Sequence, residues 1–162
     1  MQIKQDKRIV MTLDAGGTNL VFSAMQAGDE IVQPVQVPAN GHDLALCLEA
    51  IRAGFAQVAE KLPARPAAIS FAFPGPADYP NGIIGDLQNL PGFRGGVPLK
   101  GILEHQFGIP VFINNDGDLF AYGEALGGAL PLINQKLEQA GSPKRYRNLV
   151  GFTLGTGFGA GI

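Results

Sequence analysis

The chain has 162 residues, enough for one domain, or for one domain and the start of another. Its 12 basic and 14 acidic side chains nearly cancel, which argues against a bulk electrostatic footprint for nucleic acid. A single cysteine excludes an intrachain disulfide, and with only His42 and His105 beside it no cysteine–histidine metal cluster can be built.

At 46% hydrophobic residues the chain can bury a real core, yet no stretch approaches transmembrane length. The apolar part of residues 1–13 is too short for a secretory signal, so a cytoplasmic location is expected. The 23 glycines fall in clusters, which signals tight turns and close backbone approach rather than a flexible linker.

Residues 8–14 read as an opening strand, turned by "AGGT" into a second strand, "NLVFSAMQ". After "AGDE", residues 31–38 alternate as a third strand, and Pro34 places it towards an edge. A helix follows. Leu44, Leu48, Ile51, Phe55, Val58 and Leu62 recur at helical period, Asp43 is a plausible N-cap and Pro63 ends the run. Cys47 falls inside this helix and reads as a small buried hydrophobe. Residues 67–73 are apolar on both faces, as in a central parallel strand.

Residues 74–97 are rich in Pro and Gly, with a short hairpin expected around Ile83 and Ile84; their apolar content favours an ordered binding loop. Pro98 can open a helix through Phe107, with Gly108 as its cap. "IPVFIN" is a fifth strand, and helices are expected at 117–127 and 130–140. Lys144, Arg145 and Arg147 read as a solvated connector before a strand at 148–154. The glycine-rich turn after that strand lacks, on this reading, the strand that should return from it.

Four stretches carry candidate chemistry. In "LDAGGTN", Asp14 ends a strand, Gly16 and Gly17 let backbone N–H groups approach an anion, and Thr18 adds a hydroxyl. An acid at that place can hold Mg²⁺ through water, but a plain hairpin with Asp as turn former is equally open. "LGTGFGAG" is a second turn of this kind. It also passes as a dinucleotide fingerprint, but that needs a following helix and a later acid. Two hairpins gripping one polyphosphate fit better. "FINNDGD" puts Asn114, Asn115 and Asp116 at the C-terminal end of a parallel strand, the edge where α/β sheets bind ligands. Asp116 can serve as the base in phosphoryl transfer or simply as a helix N-cap. "DLQNLPGF" offers Asn89, whose amide both donates and accepts and so suits a hydroxyl-rich ligand.

Together, "LDAGGTN", "FPGPAD…NGII…NLPGF", "GIPVFINNDGDLFAYGE" and "GFTLGTGFGAGI" resemble the motifs of the ROK family (repressor, open reading frame, kinase) of the actin-like ATPase superfamily. The resemblance implies an α/β, ribonuclease H-like mixed five-stranded sheet with flanking helices, in the order βββαβαβα. It implies ATP-dependent phosphorylation of a hexose, usually at O6. By motif, Asp116 resembles the catalytic base. Asn89, Asn115, Asp116 and the backbone near Gly75 resemble the sugar contacts. Gly16, Gly17, Thr18 and Asn19 resemble the first phosphate loop, Gly155, Thr156 and Gly157 the second, and Asp14 the Mg²⁺-facing acid. Three features depart from the pattern: Phe93 where Trp is frequent, Gly117 where Ala is common, and Phe71 with Phe73 where small residues prevail.

Family members continue into a second lobe carrying the adenine pocket, a further sugar motif and often a zinc site. The expected division is therefore an N-terminal sugar and phosphate lobe at 1–128, a helical connector at 129–147, and the start of a second lobe at 148–162. ATP and Mg²⁺ are the implied cofactors, with zinc only in that second lobe. The implied partners are a hexose and ATP, with neither nucleic acid nor membrane. Val150, Phe152 and Leu154 would lack cover of their own, so a homo-oligomer is expected. The chain alone is expected to be inactive. Two other readings stand beside this one. A sugar-responsive repressor of the same family would place a DNA-binding domain ahead of the first phosphate motif, which begins here at residue 14. The other is a non-catalytic sugar-binding fragment.

Overall fold

In the computed structural model, residues 3–16, 18–86, 90–154 and 158–162 are described. They form two compact units, residues 2–114 and 115–162.

The first unit is built on a mixed sheet. Strand β1 (Ile9–Ala15) pairs antiparallel with β2 (Asn19–Gln26), from Ile9 opposite Gln26 to Ala15 opposite Leu20. Ala27 and Gly28 turn β2 into the short β3 (Asp29–Glu30), both at positive φ (55° and 81°), as a two-residue hairpin of right-handed twist requires. Strand β4 (Val35–Pro38) pairs with β2 further along, at Asn19–Phe22. Of the third strand expected over 31–38 only 35–38 is strand, while β3 lies in the stretch expected as a turn; both pair with the same edge of β2. Strand β4 begins only after Pro34, which has no N–H to give to a ladder.

Helix α1 (Leu44–Glu60) buries Cys47, Ile51, Phe55 and Val58, and the Asp43 side chain accepts from the Leu46 N–H at 3.1 Å as its N-cap. Burial also pushes the Cys47 thiol up from its ordinary pKa, so it is a poor nucleophile. Strand β5 (Ala68–Ala72) follows, then the small hairpin β6 (Ala77–Asp78) and β7 (Ile83–Ile84), where a hairpin was expected. Helix α2 (Leu99–Phe107) ends at Gly108, whose φ of 62° is the left-handed cap conformation. Strand β8 (Val111–Asn114) completes the sheet. Strands β5 and β8 run parallel to β1 in the order β3-β2-β1-β5-β8, with β4 beside β2. The mixed sheet with flanking helices is the architecture the sequence implies; among the described residues β3 makes it six-stranded rather than five.

One face of this sheet carries the core. Phe22 on β2 meets Phe55 on α1 edge-on at 5.0 Å, and Phe55 touches both Phe71 on β5 and Phe107 on α2. Phe71, Phe73 and Phe93 continue the series, all buried. Helices α1 and α2 therefore share that face. Gly54 is what lets α1 lie so close to β2. A Cβ there would fall 2.6 Å from Phe22 Cζ and closer still to two other ring carbons. Alanine is normally the better helix former by about 1 kcal/mol. Here Gly54→Ala is expected to destabilise by about 1–3 kcal/mol instead, because the caged ring cannot step aside. A thermal melt checks it: a raised Tm would show that α1 has room to move.

The second unit contains α3 (Asp116–Leu126), α4 (Ala129–Gln139) and the antiparallel pair β9 (Gly151–Leu154) and β10 (Phe158–Gly161). Both helices lie within one residue of expectation. Strand β10 corrects the expectation that no strand returns from the second glycine-rich turn: Phe158 pairs with Leu154 and Gly161 with Gly151. The reading failed because "FGAG" is short and half glycine, with little strand propensity of its own. Its glycine is instead a packing device. A Cβ at Gly161 would run into the backbone of Gly117 and Asp118 on α3, and one at Gly151 would reach the Phe120 ring. The other face shows Val150, Phe152, Leu154 and Ile162, all more than half exposed. The Glu124 carboxylate accepts the Ala129 N–H at 2.6 Å, which joins α3 to the start of α4. Among the described residues no helix is long and apolar enough to cross a membrane.

Candidate functional site

Strands β1, β5 and β8 are parallel neighbours, so their C-terminal ends share one edge of the sheet. Asp14 is in register with Ala72, and Ala72 with Asn114, which makes a row across three strands. Side chains alternate between faces along a strand. Leu13, Phe71 and Ile113 turn into the core, so Asp14, Ala72 and Asn114 take the opposite face. Asp14 is exposed and Asn114 half-buried. The Phe73 N–H donates to the Asn114 carbonyl at 3.0 Å and extends the β5–β8 ladder past Ala72.

The β1–β2 turn stands at the same edge. The Gly16 N–H donates to the Asn19 carbonyl at 3.0 Å, and a Cβ on Gly16 would fall 2.9 Å from that oxygen, so the turn needs glycine there. Thr18 and Asn19 are exposed, and the Thr18 carbonyl accepts from the Ala39 N–H at 2.9 Å. Gly17 lies outside the described residues. Asp14, Gly16, Thr18 and Asn19 are thus brought together at one strand end, as the sequence expects.

Gly75 follows β5, exposed, and precedes Pro76 through a cis peptide bond. The Tyr79 hydroxyl donates to the Phe73 carbonyl at 3.0 Å and ties this turn to the sheet. Ile84 and Val97 then bond to each other in both directions, at 2.9 and 2.7 Å, closing the segment between them. Within it Leu90 and Phe93 are buried, the Phe93 ring 5.5 Å from Phe73. Phe71, Phe73 and Phe93 therefore fill the core and do not line the open face. Asn89 lies outside the described residues.

In the second unit the chain resumes with Asn115 and Asp116. Asn115 is the N-cap of α3: its backbone is extended (φ −65°, ψ 147°) and its Oδ1 accepts from the Gly117 N–H at 2.8 Å and the Asp118 N–H at 3.4 Å. Asp116 is the first helical residue, exposed, with Oδ1 accepting from the Gly117 N–H at 2.9 Å. The alternative that Asp116 is merely the cap is thereby corrected. Sequence reasoning missed the capping by Asn115 because both residue types cap well; only the end of β8 at Asn114 decides the frame. Gly155, Thr156 and Gly157, between β9 and β10 in sequence, lie outside the described residues.

Among the described residues no group of three or more His, Cys, Asp or Glu could hold a metal ion. Mg²⁺ keeps several waters and takes one or two carboxylates together with substrate phosphates, and one exposed carboxylate at a strand end fits such a site.

The chain is similar to a crystallographically determined glucokinase from Parabacteroides distasonis, with 65% identity and a TM-score of 0.90, over 99% of this chain and 45% of that one. It is 33% identical to an N-acetyl-D-glucosamine kinase from Vibrio vulnificus over 92% of this chain and 44% of the relative. A ROK family transcriptional regulator, a homologue of the E. coli MLC protein, matches at 25% identity and a TM-score of 0.60, over 75% of this chain and 31% of that one. The chain thus spans less than half the length of these relatives. The ROK family profile matches residues 10–162, and the chain belongs to the ROK family.

Proposed function

We propose that the protein containing this chain transfers the γ-phosphoryl group of ATP to a hexose hydroxyl, O6 by family pattern, and that this chain carries the sugar-facing part and the first phosphate turn. The supporting observation is the start of α3. Asn115 satisfies the helix terminus, so the exposed carboxylate of Asp116 is available to take a proton from an attacking hydroxyl. In this reading Asn89, Asn115 and the backbone at Gly75 hold the sugar hydroxyls. Gly16, Gly17, Thr18 and Asn19 hold phosphate from one side, and Gly155, Thr156 and Gly157 from the other. Asp14 holds water on Mg²⁺, which when bound supplies charge neutralisation at the phosphates. The kinase reading is preferred to a regulator because the glucokinase match is far stronger, at 65% identity against 25%.

The test is a coupled assay of the complete protein with ATP and either glucose or N-acetylglucosamine. Sugar-dependent ADP release is expected. Asn89→Ala should raise the sugar KM about tenfold, since a lost hydrogen bond to a bound hydroxyl costs about 1–1.5 kcal/mol. Absence of turnover with every hexose offered would overturn the proposal.

A further inference from the structure

The chain leaves β5 as Phe73-Pro74-Gly75-Pro76, and of residues 74–76 only Gly75 carries a backbone N–H. A strand ladder cannot hold such a stretch, so its direction is set where it starts. The Phe73 N–H donates to the Asn114 carbonyl and the Phe73 carbonyl accepts from the Tyr79 hydroxyl, both at 3.0 Å. The Phe73–Pro74 peptide plane is thereby held, and the Pro74 ring locks its φ at about −65°. One soft dihedral, the Pro74 ψ, remains before the Gly75 N–H. The phenol that holds the plane is itself anchored. Tyr79 is half-buried and packs against the core. Its carbonyl accepts from the Gly82 N–H at 3.1 Å. In the same turn the Asp78 carboxylate accepts from the Asn81 N–H at 3.2 Å and from Asn81 Nδ2 at 2.7 Å. Gly75, at the far end of this chain of constraints, is exposed.

We propose that Tyr79 is a positioning residue: through the Phe73 carbonyl its hydroxyl sets the direction of the exposed Gly75 backbone, and so how well that backbone meets a sugar hydroxyl. This rests on the kinase reading and on the Gly75 backbone as a sugar contact. Without the hydroxyl the Phe73–Pro74 plane turns more freely, and the Gly75 N–H is spread over more directions. Sugar binding then weakens. The Asp116 carboxylate and the turn after β1 are not part of this tie, so the chemical step is kept.

The experiment joins steady-state kinetics on the complete protein to amide hydrogen exchange read on peptides that span Phe73. Tyr79→Phe removes one oxygen and keeps the ring against the core, so the fold is retained. It is expected to raise the sugar KM about fivefold, with kcat within about twofold and the ATP KM unchanged. Exchange at the Phe73 amide should quicken, because the strand end has lost one of its two ties. Gly54→Ala is the control for general loosening: it should lower Tm and leave the sugar KM alone. An equal rise in sugar KM in Gly54→Ala overturns the positioning role, and so does Tyr79→Phe with neither exchange nor KM changed. Faster exchange with an unchanged sugar KM overturns it differently: the tie is real and the Gly75 backbone is not where the sugar binds. Absence of turnover in the wild type with every hexose removes the kinase reading itself, a failure that the exchange measurement does not share.

Discussion

Asp116→Asn in the complete protein is expected to lower kcat by about 10²–10⁴-fold, the usual contribution of a general base, while the sugar KM stays within a small factor. Asparagine keeps the size and still accepts a hydrogen bond from a hydroxyl, but it cannot take the proton. The geometry at α3 sharpens the test. Because Asn115, not Asp116, caps the helix, the exchange should leave Tm nearly unchanged. Asn115→Ala, by contrast, should cost about 1 kcal/mol as a lost cap. Side-by-side melts and initial rates check both. Full activity in Asp116→Asn would remove the proposed base, and a drop in Tm without a drop in rate would give Asp116 a structural role only.

Gly161→Ala should be the most damaging single-methyl change in the second unit. The added carbon would lie 2.6 Å from the carbonyl carbon of Gly117 and 2.8 Å from Asp118 Cα, so β10 and α3 would have to part as whole backbones. Overpacking of this kind costs about 1–3 kcal/mol and occasionally more; the upper end is expected here. The first turn of α3 is what moves, and Asp116 sits in it. A displacement near 1 Å at a reacting group can cost about 10²-fold in rate, so kcat should fall together with Tm. The reciprocal change is mild. A Cβ on Gly117 would sit 3.1 Å from Asn115 Oδ1 and 3.2 Å from the Ala160 carbonyl oxygen, tight but relievable by a few tenths of an ångström. Its helix-propensity gain of about 1 kcal/mol offsets that, so Gly117→Ala should be near neutral. Thermal melts of the pair decide it: equal losses would mean that the two backbones are not in the contact described.

What could be read in advance follows from which forces are local. Helix α1 was legible because a cap at Asp43 and apolar residues at helical period act within a few residues of each other. The same holds for the Gly108 cap and for the parallel placement of β5, whose apolarity on both faces is the mark of a central parallel strand. Strand β10 was not legible, because its pairing with β9 and its glycine contact with α3 are tertiary. The break before β4 was half legible: Pro34 announced an edge but not a gap. Residue types pointed to strand ends, and Asp14, Gly16, Thr18 and Asn19 do lie together at one of them. That Asn115 rather than Asp116 caps α3 was hidden, since either residue type satisfies a helix terminus and only the end of the sheet ladder chooses.

The row Asp14–Ala72–Asn114 has a consequence for how such a protein can change its diet. Two strand spacings separate its ends, about 10 Å, and that span is set by backbone hydrogen bonds that no side chain owns. The sheet is a fixed gauge. On the proposed reading, the segment after β5 can be rewritten to suit a different sugar while the strand ends of the first unit keep the same separation. New acceptors can therefore be tried one loop at a time, with the spacing inherited intact at every step.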